Sequence, residues 1–280
     1  MTTIHPWVEN AAPTRRWLPK YRFAELWHNR ELVWFFAVRD IKVRYKQAVL
    51  GAAWAVIQPV VGAIAFTLIF NGLVGVDADG ESYFVFALAG FIVWNYFSST
   101  VSSGTRSILF NAELVTKVAF PKIVAPISTL VEGLVDLAIG VVVVIGAALV
   151  IGTTLSPVGI FLGVPFATIL LIAAAAGPTL CFSASIVKYR DVGIVIGFGL
   201  QLFLFVTPVA YPPDLVPDSL RTVQYLNPLV GCLDLYRWAF AGSSTPEVGS
   251  LTISVASACV LLLVGWQYFR ASEHKFADII

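Results

Sequence analysis

Long apolar runs separated by short charged segments organise this chain. Six runs stand out, at 49–74, 83–103, 125–151, 157–187, 192–210 and 248–269. A bilayer core about 30 Å thick takes roughly 20 mostly apolar residues to cross as a helix, so each run reads as a transmembrane segment. Lipid offers the backbone no hydrogen-bond partner, so spans this apolar are predicted to be helices rather than strands. The fourth run is long and interrupted by Pro165 and Pro178, where a tilt, a kink or a re-entrant part is expected. The pattern predicts an all-α polytopic membrane protein with about six transmembrane helices.

Two further segments break the simple alternation of span and loop. Before the first run, residues 1–48 form a tail in which Phe23, Leu26, Trp27, Trp34, Val38, Ile41 and Tyr45 recur at helical spacing. Basic residues accompany this aromatic stripe, a combination that suits an amphipathic helix lying in the membrane interface; a helix packed on a soluble partner is the other reading. Residues 49–280 then make the transmembrane domain. Between the fifth and sixth runs, 211–247 holds Pro212, Pro213, Pro217 and Pro228 among many Leu, Tyr and Trp residues. It is too apolar for a free loop and too interrupted for a span. It reads as a re-entrant hairpin of two short helices turning near Asn227 and Pro228, buried in protein or lining a watery cavity.

Composition agrees with lipid as the solvent: 58% of residues are hydrophobic and 12% charged, about half the charged share of a soluble domain. The mean hydropathy is +0.82. The net charge of +1 is uninformative, but its distribution is not. Of the 18 Lys and Arg residues, all but Arg221 and Arg237 fall on one side of the predicted topology. The opposite connections carry Asp77, Asp79, Glu81, Asp214, Asp218, Asp234 and Glu247. The positive-inside rule therefore places both termini in the cytoplasm, with the first apolar run starting too late for a signal peptide.

Candidate chemistry is sparse. No Gly-Lys dipeptide is present, so a phosphate-binding loop ending in Gly-Lys-Ser/Thr is excluded. His5, His28 and His274 are isolated, and the three cysteines lack paired spacing and read as apolar filler. Glu132 and Asp136 are the acids within a span, one helical turn apart. Intramembrane acids are costly and usually functional; a proton site and pairing with nearby basic residues are both open. Phe66, Phe70, Phe91, Trp94, Tyr96 and Phe97 crowd the first helical hairpin. They are candidates for an aromatic passage on which sugars stack, and equally for lipid-facing bulk.

Several stretches also match a known family in order. Residues 39–46 (RDIKVRYK), followed by Leu50, Gly51, Trp54, Ala55, Gln58 and Pro59, strongly resemble the approach to the first helix of type-2 ABC exporter permeases that carry O-antigen, teichoic acid and related cell-envelope glycans. Asn111, Leu114, Lys117, Val118, Phe120, Pro121 and Pro126 look like that family's cytoplasmic coupling region. Tyr189, Arg190 and Asp191, then Gln201, Thr207, Pro208, Val209, Tyr211 and Pro212, form a third match, and Asn227, Pro228 and Arg237 a fourth, in the extracytoplasmic gate.

The resemblance implies a homodimeric permease subunit in the cytoplasmic membrane, paired with two copies of a separate ATP-binding cassette subunit that binds ATP and Mg. This chain would hold no cofactor, and nucleic acid is not among the partners. A short coupling helix between Arg106 and Phe120 would meet the ATPase through Leu109, Phe110, Asn111, Glu113, Leu114 and Lys117. The turn at Lys188, Arg190 and Asp191 would add a smaller contact. The gate would comprise Tyr211, Asn227, Pro228, Tyr236, Arg237 and Trp238. Arg39, Lys42, Arg44 and Lys46 would lie where anionic lipid carriers or ordinary anionic lipids approach. The implied cargo is a lipid-linked polysaccharide. The alternatives are a permease for a drug or other lipid, a membrane enzyme using Glu132 and Asp136 as acid and base, and a secondary transporter.

Overall fold

The computed structural model describes residues 29–46, 53–73, 82–117, 120–209 and 224–276, together with 27, 51, 75, 211 and 212. Among these, every regular element is helical. Helix α1 (Arg30–Lys46) precedes α2 (Ala53–Phe66), which continues as a π-helical stretch, Thr67–Leu73. Then come α3 (Tyr83–Phe110), the short α4 (Ala112–Lys117) and α5 (Val124–Ile151). A π-helical turn, Gly159–Gly163, leads into α6 (Val164–Lys188). Helices α7 (Val192–Val206), α8 (Leu229–Phe240) and α9 (Val248–Ser272) complete the order.

Five helical segments have the length and apolarity to cross a bilayer: Ala53–Leu73, Tyr83–Phe110, Val124–Ile151, Gly159–Lys188 and Val248–Lys275. The sixth expected run is α7, which is apolar but has only 15 residues, about 22 Å of helix. It stops at Thr207, whose backbone is extended, because Pro208 follows. A residue before proline is driven out of the helical region. Pro165, by contrast, sits in the first turn of α6 and starts that helix instead of breaking it.

Helix α3 is the axis of the bundle. Its most apolar stretch is 78% buried, against 11% for α2 and 22% for α5, and it packs against α2, α5, α6, α7 and α8. It also runs further than expected, ending at Phe110 instead of 103. At 28 residues it is about 42 Å long, so its last turns stand clear of a bilayer core. Helices α6 and α9 form another close pair. A Cβ added to Gly265 would lie 2.1 Å from the Gly177 carbonyl oxygen, and one added to Gly177 would lie 2.4 Å from that of Leu261. Backbone meets backbone there, as small residues permit between membrane helices.

Most of the charge gathers at one end of the bundle, which also holds a second apolar cluster. Phe276, 1% exposed, packs with Ile108, Ile123, Leu180, Val187 and Phe269. The Lys122 ammonium donates to the Glu273 carbonyl at 3.2 Å, so the segment after α9 is fastened to the corner between α4 and α5.

Candidate functional site

Helix α1 shows two faces. Val33, Phe36 and Ala37 are buried, and Val33 and Phe36 pack with Val124 while Leu32, Phe120 and Ile127 flank them. Trp34 and Phe35 stay exposed at 63% each. Of the expected stripe, Val38, Ile41 and Tyr45 are half-buried, and Phe23 and Leu26 lie outside the described residues. The basic positions divide similarly. Lys42 and Lys46 are exposed, whereas Arg39 and Arg44 are engaged within the protein.

Arg44 reaches α5. Its two terminal nitrogens lie 2.6 Å from Glu132 Oε1 and 2.7 Å from Asp136 Oδ2. The Tyr45 hydroxyl donates to the other Asp136 oxygen. Burial, then the adjacent Asp136, raises the Tyr45 phenol above its ordinary value, which keeps the donor protonated. The two intramembrane acids are therefore both paired with Arg44. Arg39 bonds Asp40 at 2.7 Å and the Asn111 carboxamide oxygen at 2.9 Å, with its guanidinium 4.6 Å over the Phe36 ring.

Arg44, Tyr45 and Asp136 also form one end of a cavity of about 410 Å³. Trp54, Gln58 and Pro59 of α2, with Gly197 and Leu200 of α7, supply two of its walls. The third is a face of α3 carrying Asn95, Ser98, Ser99 and Ser102. These four were not singled out from the sequence. Their i, i+3, i+4, i+7 spacing puts them on one face of α3, but Thr100, Ser103 and Thr105 on the other faces hid that face in the sequence.

The candidate aromatics lie elsewhere. Phe91, Trp94, Tyr96 and Phe97 are each under 8% exposed. Phe66 lies 5.3 Å from Phe91 and 5.5 Å from Phe70, and Trp94 and Phe97 pack on Phe203 of α7 at 6.1 and 6.0 Å. The Tyr96 hydroxyl donates to the Leu130 carbonyl. Within the single chain these rings are packing, not an open wall, because α3 is enclosed by its neighbours.

At the basic end, the expected helix between Arg106 and Phe120 is divided. Residues 106–110 continue α3, and α4 follows a bend at Asn111. Asn111 is buried and donates through Nδ2 to the Ser107 carbonyl at 2.8 Å while accepting from Arg39. Phe110 projects outward, 79% exposed, with Leu114 at 38%. Glu113 is exposed and Leu109 half-buried. The side chain of Lys117, and all of Val118, lie outside the described residues. Lys188, Arg190 and Asp191 are exposed, and a Cβ on the following Gly193 would sit 3.8 Å from Arg106 Nε at the end of α3.

At the opposite end, ten of the twelve residues of α8 are buried. Residues 213–223, the first half of the expected hairpin, lie outside the described residues. Arg237 anchors the second half: its Nη2 donates to the Pro208 and Val209 carbonyls at 2.6 and 2.8 Å, and its guanidinium lies 3.7 Å over Phe86. Breaking α7 at Pro208 frees those carbonyls, and the buried cation captures them. Gly90 makes room, since a Cβ there would approach the Val209 oxygen to 2.1 Å. Asn227 donates to Thr207 Oγ1 at 2.8 Å and accepts from the Leu229 amide at 3.0 Å, and the Tyr236 hydroxyl lies 3.0 Å from Thr168 Oγ1. Tyr211 donates to the Phe205 and Val206 carbonyls. Trp238 packs over Gly163, where a Cβ would meet its ring at 3.1 Å.

Comparison with known proteins covers nearly all of these features. An O-antigen export system permease protein RfbA of Klebsiella pneumoniae is 29% identical over 243 residues, 86% of this chain and 92% of that protein. The RfbA permease of Myxococcus xanthus is 27% identical over 264 residues, covering 91% and 98%. The polysialic acid transport protein KpsM of Escherichia coli is 26% identical over 239 residues, covering 84% and 91%. The family model described as ABC-2 type transporter matches residues 31–241, from α1 through the buried arginine, and the chain belongs to that family.

Proposed function

We propose that this chain is the membrane subunit of a polysaccharide exporter. It passes a lipid-linked glycan outward across the cytoplasmic membrane, while a separate subunit binds ATP and Mg and hydrolyses the nucleotide. The observation that carries the reading is the cavity set among apolar spans, with Asn95 and three serines of α3 on one wall and Arg44 among its lining residues. The relatives are named as exporters of O-antigen and polysialic acid, which supports a saccharide cargo over a drug.

The basic end of the bundle faces the cytoplasm in this reading, as the distribution of Lys and Arg requires. Phe110, Leu114 and the 188–191 turn meet the ATPase there. Helix α8 and the turn at Asn227 close the outer end. Two copies of the chain, with two ATPases, complete the assembly. Supporting this, α7 has no buried residue and α2 few, which leaves broad apolar faces for a second copy and for lipid. An enzymatic role for Glu132 and Asp136 is disfavoured, because both carboxylates are already paired with Arg44.

Deleting the gene tests the proposal. Lipid-linked glycan accumulates inside the cell and disappears from the surface, and the intact chain restores export. Unchanged surface glycan, with no accumulation of carrier-linked material, removes it.

A further inference from the structure

The cavity beside α3 has walls whose chemistry specifies more than a saccharide. Gln58, Asn95, Ser98, Ser99 and Ser102 line it, all uncharged and all able to hydrogen-bond. At about 410 Å³ it falls within the range of about 300–1,000 Å³ usual for ligand sites. Ser98 and Ser99 donate to the backbone carbonyls of Asn95 and Tyr96, at 3.5 and 3.3 Å. With those protons directed into the helix, the oxygen lone pairs remain for hydroxyl donors from a ligand. The carboxamides of Gln58 and Asn95 add both donors and acceptors.

Charge decides the class of ligand. Arg44 is the one cation among the described lining residues, and Glu132 and Asp136 hold it at 2.6 and 2.7 Å. Two carboxylates thus face one guanidinium, leaving no uncompensated positive charge. A ligand with an anionic group on every ring would enter an apolar region without a counter-charge, at substantial electrostatic cost. A neutral polyol meets no such penalty. The α3 polar groups at 95, 98, 99 and 102 lie along about 10 Å of helix axis, so several can meet one short run of saccharide hydroxyls.

We propose that this cavity is a binding site for the hydroxyl groups of an uncharged saccharide, and that it selects a neutral glycan over a polyanionic one. The inference rests on the export reading above and narrows its cargo. Its several modest hydrogen bonds hold a passing chain without a deep trap.

The test uses the full chain with its ATPase partner in lipid nanodiscs. The probes are maltoheptaose, which is neutral, and a sialic acid heptamer, which carries one carboxylate per ring. Trp54 lines the cavity, so its fluorescence reports binding, with Trp54→Phe as the blank. Maltoheptaose is expected to bind at least tenfold more tightly than the acidic heptamer. The triple variant S98A/S99A/S102A loses about tenfold or more of that binding, three modest hydrogen bonds being removed, with assembly unchanged by size exclusion. Ser99→Lys, which adds a cation to the wall, reverses the preference.

Equal or tighter binding of the acidic heptamer to the unsubstituted protein overturns the inference. So does full maltoheptaose binding by the triple variant, or no binding of either probe. If the deletion strain still accumulates lipid-linked glycan, those outcomes leave the export reading standing. A strain without accumulation removes that reading by itself.

Discussion

Arg44 shows how one side chain connects distant parts of the sequence. Glu132 is 7% exposed, and a buried carboxylate that loses its cation is strongly destabilising. Arg44 itself is 38% exposed, which tempers the effect. Arg44→Ala should therefore cost about 1–3 kcal/mol, read as a lower unfolding temperature in nanodiscs, and adding Glu132→Gln should recover part of it. A double variant no more stable than Arg44→Ala would contradict the pairing. Arg237 offers an independent test at the other end. Its substitution by Ala strands the Pro208 and Val209 carbonyls, at about 2–3 kcal/mol for the lost charged hydrogen bonds. Cys232, fully buried in the same helix, should then react with a thiol reagent that leaves the parent protein unlabelled.

At the scale of elements, the spans were legible because bilayer thickness dictates a long apolar run, and every expected run has a helix in it. The internal arrangement was less legible. Composition left the aromatics of α3 open between a passage wall and lipid-facing bulk, because an aromatic residue reads the same whether it faces a channel, lipid or another helix. Only the enclosure of α3 by five neighbours resolves Trp94 and Phe97 as core. The pairing of Arg44 with Asp136 spans 92 positions, too far for any periodicity to signal. Helix α4 was foreseen roughly, yet its start was misplaced because the Asn111 cap depends on Arg39 from another helix. The exposed tip supports one prediction here. Phe110→Ala should weaken binding of the ATPase subunit by about 2 kcal/mol or more, as expected for a buried aromatic anchor. Substituting exposed Arg190 should cost about 0–1 kcal/mol. Co-purification and coupled ATP turnover measure both, and an unaffected Phe110 variant would remove this contact.

For the whole molecule, orientation is the property on which the functional roles depend. In a chain lacking its native cysteines, Thr154→Cys should react with an impermeant thiol reagent from outside intact cells. Arg190→Cys should react only after permeabilisation. The reverse pattern would exchange the proposed coupling and gate ends.

The fastening of Phe276 has a consequence for biogenesis. The pocket it fills is built from the ends of α3, α5 and α6, all synthesised earlier, so that corner stays hollow until translation passes residue 276. A nascent chain thus lacks this finished corner, however many of its spans are already inserted. A nonsense truncation just before Phe276 would leave every span in place and still expose an apolar hole to membrane proteases, so such chains should turn over faster than full-length ones in a pulse-chase experiment.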